Sequence, residues 1–225
     1  MGTTLELSDK SIEQLARCTC TRCRYRIVRG EERKSHWRDQ VQESIDRIIG
    51  AYENLPVKTR SAETVLRLVQ NHWVRDFRRF PSAQHYALTC VKVTDHIMQF
   101  LKEDRVVPPP LFTMKEVRAE VKELGLGVKG CFHRVEWDGI HCRIVRYTVD
   151  GHEEAVRSFF HMAVVLAVCS FGITPQVVEV RSLLCGNRQV FTTRENAFQA
   201  SLDYLQLIRQ SLLPEEAMAH HSVVS

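Results

Sequence analysis

The sequence has no uninterrupted apolar run long enough to cross a bilayer, which takes about 20 predominantly apolar residues. Its opening residues, MGTTLELSDKS, contain two acidic side chains and no apolar core of the kind found in a secretory signal. We therefore expect a cytoplasmic protein with no membrane partner.

A disulfide framework is also missing. Of the eight cysteines, only Cys18, Cys20 and Cys23 are close in sequence. The others are isolated in apolar surroundings, where a free cysteine usually behaves as a small buried hydrophobe. The charge excess is small as well, because a net charge of +4 and a pI near 8.7 do not establish a nucleic-acid partner.

What is present is an ordinary globular composition, with 44% hydrophobic and 26% charged residues and no internal repeat. A chain of 225 residues can bury the core of one α/β domain and is short for two. We predict a single domain over residues 1–213 and a flexible tail at 214–225. Within the domain we expect a helical region at 8–106 and a sheet-containing core at 111–213.

The amino-terminal half has the periodicity of amphipathic helices, with apolar residues three and four apart. The predicted helices cover residues 11–15, 37–52, 62–80 and 82–101. Ser8 or Asp9 can cap the first helix. Pro108, Pro109 and Pro110 then end the helical half.

The second half is rich in strand signals. Residues 128–137 and 140–147 are joined by Asp138-Gly139, a dipeptide that suits the positive φ angles of a tight hairpin turn. Residues 114–124 fit a strand or an amphipathic helix, and we interpret them as a strand. The remaining predicted elements are strands at 177–184 and 189–192, a nearly all-apolar helix at 153–171 ending at Gly172, and a helix at 194–213.

Two groups of arginines are accompanied by aromatic residues. The first surrounds Tyr25, and the second lies beside Trp73 and Phe77. Arginines can contact phosphates while rings stack on bases, although arginine runs are more often solvated surface. The candidate nucleic-acid-binding residues are Arg22, Arg24, Tyr25, Arg26, Arg75, Arg78 and Arg79.

Cys18, Cys20 and Cys23 could supply three thiolates to zinc or to an iron–sulfur cluster. The fourth ligand is the weakness of this interpretation, because the last cysteine is the isolated Cys185. We therefore favour free thiols here and expect no cofactor. The pair His220-His221 in the tail is interpreted as incidental.

Two segments carry a resemblance to a known family. SIEQLARCTCTRCRYRIVRG leads from a helix into cysteine, basic and aromatic residues, and GCFHRVEWDGIHCRIVRYTVDG spans residues 130–151. In these motifs and in the order of its predicted elements, the chain resembles the RecB/AddB/Cas4-like branch of the PD-(D/E)XK nuclease superfamily over residues 11–213. The resemblance implies an α/β fold with a mixed β-sheet flanked by helices and a helical amino-terminal half.

The departures from this family fall on its catalytic positions. His133 stands where the resemblance places the first metal-binding aspartate, Arg146 at the second carboxylate, and Thr148 at the lysine. Gln42 occupies the position where the branch often has a metal-binding histidine. We expect His133, Arg146 and Thr148 to lie near one another at one end of the sheet. The flanking residues Gly130, Arg134, Val135, Glu136 and Tyr147 fit the pattern.

Electrostatics give an argument that does not need the family name. Mg²⁺ requires oxygen ligands, whereas Arg146 would place a fixed positive charge where the ion should bind. At about 4 Å, two unit charges interact by roughly 4 kcal/mol at an effective dielectric near 20, and a divalent ion doubles the repulsion. We predict no catalytic residue among these positions. If they are merely ordinary hairpin residues, the expectation of inactivity is the same.

These patterns favour a catalytically inactive nuclease-fold module that binds nucleic acid or a protein partner, for example within a DNA-processing or defence complex. An active metal-dependent nuclease with a relocated site is the second hypothesis. A purely structural protein-interaction domain is the third. The acidic residues that a relocated site could use include Glu120, Glu136, Asp150, Glu153 and Glu179.

Overall fold

The structure is a computed structural model that describes residues 5–18, 20–30, 36–104 and 110–212. The predicted tail, Pro108, Pro109 and the His220-His221 pair lie outside these ranges. The described helices are α1 Asp9–Arg17, α2 Thr21–Val28, α3 Trp37–Glu53, α4 Ala62–His72, α5 Ala83–Glu103, α6 Glu153–Phe171 and α7 Ala197–Leu212. The described strands are β1 Leu5–Ser8, β2 Phe112–Val121, β3 Leu126–Trp137, β4 Cys142–Thr148, β5 Val177–Ser182 and β6 Arg188–Thr192.

The six strands form one mixed sheet, which confirms the predicted α/β class. Strand β3 pairs with antiparallel β2 along one edge. Along its other edge it pairs first with parallel β1, up to Lys129, and then with antiparallel β4, from Arg134. Strand β5 pairs with β4 in parallel and β6 extends the sheet antiparallel to β5. Residues 130–133 of β3 therefore lie in a gap between β1 and β4.

The β3–β4 hairpin is confirmed, but its turn is longer than the predicted two residues. Trp137 pairs with Cys142, which leaves four residues in the loop, and Gly139 has the positive φ, 99°. The Asp138 carboxylate accepts the N–H groups of His141 at 2.7 Å and Ile140 at 2.9 Å. These bonds lower the pKa of Asp138 to about 2. They hold the chain in an open loop, so β4 begins at residue 142 rather than 140.

Helices cover both faces of the sheet. One face packs against α1, α6 and α7, with Phe132 and Met162 in its core. The other packs against α3, α4 and α5, with Ile45 and Tyr147 in its core.

Helix α6 is the most apolar of these helices. By length and composition it could cross a membrane, the single helix of this kind in the described part of the chain, although charged and polar residues interrupt its apolar stretch. Half of it is buried, and it packs against β2, β3 and α7. Its burial and packing are those of a core helix.

Three further differences from the sequence-based expectations concern single elements. Helix α4 ends at His72 instead of continuing to residue 80, because two side chains bond the backbone of Val74. The Ser44 hydroxyl accepts the Val74 N–H at 3.0 Å, and the Tyr86 hydroxyl donates to the Val74 carbonyl at 2.9 Å. Strand β1 was not predicted because four residues are too few for a period. Helix α2 was not predicted because its cap, Cys20, makes no side-chain capping bond.

Candidate functional site

The candidate site lies in the gap between β1 and β4. There Cys131 of β3 has no neighbouring strand on this edge among the described residues. Its N–H donates to Asp9 Oδ2 at 3.3 Å, and its carbonyl accepts from Arg146 Nη1 at 2.9 Å. Asp9 and Arg146 also pair with each other at 2.7 Å. An ion pair thus replaces the strand pairing that is missing here, and it satisfies backbone groups that would otherwise be costly to bury.

Arg146 is held from several directions. Asp9 comes from the first turn of α1, where Ser8 caps the helix and accepts the Ser11 N–H at 3.0 Å. On the other side, the guanidinium of Arg146 lies 4.9 Å from the ring centroid of Phe159 on α6. Burial lowers the pKa of Arg146, but the carboxylates of Asp9 and Asp46 outweigh it and raise the pKa above its ordinary value. The side chain is a permanent, buried cation.

A small cavity adjoins this cation. Its volume is about 20 Å³, which is room for roughly one water molecule. Each of the three carboxylates that line it is bonded to an arginine: Asp9 to Arg146, Glu13 to Arg17, and Asp150 to Arg17 and Arg38. Burial raises the pKa of Asp150, but the bonds from the two arginines lower it below its ordinary value. The other lining residues are Thr148, Ala155, Val156, Phe159 and Val180.

Gln42 and His133 meet at Asp46 on α3. The Oδ1 atom of Asp46 accepts from Gln42 Nε2 at 2.7 Å and lies 2.9 Å from His133 Nε2. Gln42 also bonds the backbone of β4 and the residue after it, donating to the Tyr147 carbonyl and accepting the Val149 N–H, both at 3.1 Å. Burial raises the pKa of Asp46, but His133 and Arg146 lower it below its ordinary value.

The predicted site positions are therefore brought together in two halves. Arg146 and Thr148 line one cavity on the side of α1 and α6, as expected. His133 and Gln42 instead face α3, and the link between the halves is electrostatic, from Arg146 to Asp46. The expectation that His133 lies beside the other two was thus incomplete, because His133 contacts Asp46 on the α3 side of the sheet, whereas Arg146 contacts Asp9 on the α1 side.

No family model matches this sequence, and no curated protein matches it either. Among solved structures, a crystal structure from Eubacterium rectale described as a "putative exonuclease" resembles it with a TM-score of 0.56, over 93% of this chain and 80% of that chain. The fold is nuclease-like. At 8% sequence identity the likeness concerns the fold and does not extend to one branch of nucleases.

Within this nuclease-like fold, the acidic residues suggested for a relocated site do not converge. Glu120 is exposed, and Glu153 is exposed and pairs with Arg157. Glu136 and Glu179 both bond Arg143. Among the described residues, the one group of three His, Cys, Asp or Glu side chains close enough to share a metal ion consists of Cys18, Cys20 and Cys23.

Glu179 belongs to a larger network of buried charges that the sequence did not reveal. At its centre Arg181 of β5, 1% exposed, donates to Asp104 at 2.7 and 2.8 Å and to Glu179 at 2.5 Å. The Tyr147 hydroxyl donates to Asp104 at 3.0 Å. Burial raises the pKa of Asp104, but Arg181 lowers it below its ordinary value. In the sequence, this network is indicated only by the arginines and glutamates at alternate positions of the strands.

The first group of candidate nucleic-acid contacts lies on α2. Helical spacing places Arg22, Tyr25, Arg26 and Arg29 on one face, whereas Arg24 points elsewhere. Tyr25 is 52% exposed, and the guanidinium of Arg29 lies 4.4 Å from its ring centroid. Arg29 is thus a member of this face that the sequence-based analysis missed.

The second group is less suited to bind nucleic acid. Trp73 is buried, so it cannot stack on a base, contrary to its expected role, whereas Phe77 is half exposed. Arg78 and Arg79 bond the carboxylate of Asp76 at 2.9 and 3.4 Å. These bonds lower the pKa of Asp76. Of the three arginines, the exposed Arg75 has no ion pair with a described residue.

Proposed function

We propose that this chain is a non-catalytic module with a nuclease-like fold. One observation carries the proposal: the buried guanidinium of Arg146 occupies the second carboxylate position of the resemblance and is bonded to Asp9 and to the Cys131 carbonyl. A divalent ion at this position would face a fixed positive charge with no means of losing it.

The remaining carboxylates support the same conclusion. Asp9, Glu13 and Asp150 line the cavity, but their oxygens are bonded to arginines. Asp46 is bonded by Gln42 and His133. Mg²⁺ needs several oxygen ligands and usually keeps some of its waters. A cavity with room for roughly one water and carboxylates already neutralised offers neither.

Metal titration tests this proposal. Isothermal titration with Mg²⁺ and Mn²⁺ should show no binding to the wild-type chain, because Arg146 occupies the position. The variant Arg146→Asp combined with His133→Asp and Thr148→Lys restores the pattern of the resemblance and should gain metal affinity if it folds. Arg157→Asp, which reverses an exposed charge on α6, is the matched control and should gain none. Binding of one Mn²⁺ by wild type that is lost in Asp9→Asn would contradict the proposal.

We further propose that the face of α2 contacts a nucleic-acid backbone. Arg22, Arg26 and Arg29 form no ion pair with any described residue, whereas Asp76 holds Arg78 and Arg79. Unneutralised arginines beside an exposed ring suit phosphate contact with base stacking. Because no base-reading motif accompanies them, binding should tolerate changes in nucleic-acid sequence.

Fluorescence anisotropy at several salt concentrations tests the α2 face. Each phosphate contact contributes about −0.9 to the slope of log K against log salt for a duplex. Replacing Arg22, Arg24 and Arg26 together by alanine should weaken binding. It should also make the slope less steep by the contribution of about two phosphate contacts. Alanine at Arg75, Arg78 and Arg79 together is the matched control, with a smaller effect expected. Equal binding by wild type and the α2 variant would favour the protein-interaction hypothesis.

A further inference from the structure

The junction of α1 and α2 gathers three thiols. Cys18 ends α1, with its N–H bonded to the Gln14 carbonyl at 3.0 Å, and Cys20 caps the start of α2. Cys23 lies in the first turn of α2, with its N–H bonded to the Cys20 carbonyl at 3.0 Å. Their three sulfur atoms all lie within 4.8 Å of one another, and the Cys18 and Cys20 sulfurs are 3.3 Å apart.

This spacing suits a shared metal ion. A zinc–sulfur bond of about 2.3 Å in tetrahedral geometry places two sulfurs roughly 3.8 Å apart. The Cys18–Cys20 separation is slightly shorter than that value and all three separations are at most 4.8 Å, so small side-chain rotations suffice for a shared ion. Backbone bonds hold Cys18 at the end of α1 and Cys20 and Cys23 in the first turn of α2, which reduces the entropy lost on binding.

The surroundings favour a thiolate at one of the three positions. Hydrogen bonds from the Cys23 backbone and the Cys18 side chain lower the pKa of Cys20 to about 7. The start of α2 contributes a positive helix terminus. By contrast, burial raises the pKa of Cys131 and of Cys142 to about 11. Within the junction the bond with the Cys18 side chain and burial raise the pKa of Cys23, so the junction as a whole differs from the other cysteines in its spacing.

We propose that Cys18, Cys20 and Cys23 bind one thiophilic metal ion, with Zn²⁺ as the expected ion and a fourth position left for an exogenous ligand. Cys20 is exposed and the other two are half-buried, so solvent or a small thiol can reach that position. The site uses amino-terminal thiols alone, and it does not depend on the proposed function. A bound ion ties the end of α1 to the start of α2 and so orients the arginine face of α2.

Zn²⁺ titration of the reduced full-length protein, in competition with a chromogenic chelator, tests this site. Wild type should bind one Zn²⁺ per chain. Cys20→Ser should bind more than about 100-fold more weakly, since loss of a direct ligand exceeds the 10–100-fold typical of outer partners. Cys185→Ser removes an exposed thiol outside the trio and should bind like wild type. Equal affinity of wild type and Cys20→Ser would overturn the proposal.

A second measurement on the wild-type chain avoids the risk that a variant misfolds. The reduced protein is alkylated with and without Zn²⁺, and the modified cysteines are mapped by mass spectrometry. Zn²⁺ should protect Cys18, Cys20 and Cys23 together and leave Cys185 reactive. No protection of the trio, or a disulfide within it that forms in the presence of Zn²⁺, would overturn the proposal, the latter in favour of a redox role.

Discussion

Two buried arginines on neighbouring strands, Arg146 of β4 and Arg181 of β5, serve the fold in different ways. Arg181 lies deep between the sheet and α5, where two carboxylates and a phenol hydroxyl surround it. Arg146 lies at the gap in the sheet, beside a small cavity, and bonds one carboxylate and one carbonyl. Both arginines therefore bond partners within the protein: Arg146 does so at the candidate site, as Arg181 does in the core.

The cost of removing each arginine should follow from what it leaves behind. Breaking a buried pair is expensive because the remaining charge stays buried without compensation. Removing Arg181 would leave two buried carboxylates with fewer partners, Asp104 with Arg134 at 3.8 Å and Glu179 with Arg143. Removing Arg146 would leave one carboxylate that water in the adjoining cavity can reach.

Arg181→Ala should have the largest effect. It leaves Asp104 and Glu179 buried without their central cation, and we expect a loss of about 3–5 kcal/mol in the free energy of unfolding. Arg181→Met keeps most of the side-chain volume but removes the same positive charge, so it should lower the free energy of unfolding by a similar amount. Urea denaturation followed by circular dichroism measures both. A loss below about 1 kcal/mol in Arg181→Ala would mean that the network is not important for stability.

Arg146→Ala should cost less, about 2–3 kcal/mol, the range for a charged hydrogen bond removed from a partly accessible partner. Its control is Arg157→Ala on α6, where an exposed pair with Glu153 should contribute under about 0.5 kcal/mol. The same denaturation experiment compares the two. If both variants unfold like wild type, the ion pair does not replace the missing strand pairing.

Acid should destabilise the protein through its buried carboxyls. The pKa values of Asp46, Asp104, Asp150 and Glu179 are lowered in the folded state. The unfolded chain therefore takes up protons first, so the stability they provide is present above about pH 4.5 and is lost as the pH falls through the folded values. Denaturation between about pH 7 and pH 2 should show this, with a shallower fall in Asp104→Asn than in Asp203→Asn, an exposed control.

Tyr147→Phe should have the smallest effect of the series. It removes the hydroxyl bond donated to Asp104 and the one accepted from Arg181 but leaves the Arg181–Asp104 pair in place, so we expect a loss of about 1–2 kcal/mol. Thermal unfolding gives the value. A loss as large as that of Arg181→Ala would mean that the phenol, rather than the guanidinium, organises the network.

The sequence was sufficient for most of the elements, whereas the positions where the nuclease pattern breaks remain a prediction. Period and turn signals located the β3–β4 hairpin and helix α6, because both depend on residues close together in the chain. The partners of the site residues could not be found in this way. Asp9 and Asp46 reach Arg146 and His133 from elements far away in sequence, and no local pattern records such a contact.

Two smaller failures have the same origin. The four-residue loop after β3 depends on the Asp138 carboxylate bonding two backbone N–H groups, an option that the Asp-Gly dipeptide does not reveal. Strand β1 exists because β3 offers it a pairing edge, with Leu5 opposite Leu126. The loop depends on bonds that form only once the chain has turned, and β1 depends on a tertiary contact with β3.

Metal-dependent cleavage is the most direct test of the central claim. Purified wild-type protein is incubated with single- and double-stranded DNA and RNA in Mg²⁺ and in Mn²⁺, beside a mock purification. We predict no cleavage, because the proposed function puts Arg146 and His133 at the positions of ion-binding carboxylates and Thr148 at that of a lysine. Metal-dependent cleavage that is absent from the mock sample and lost on mutating Glu136 or Glu153 would contradict the account and show that the active site has moved.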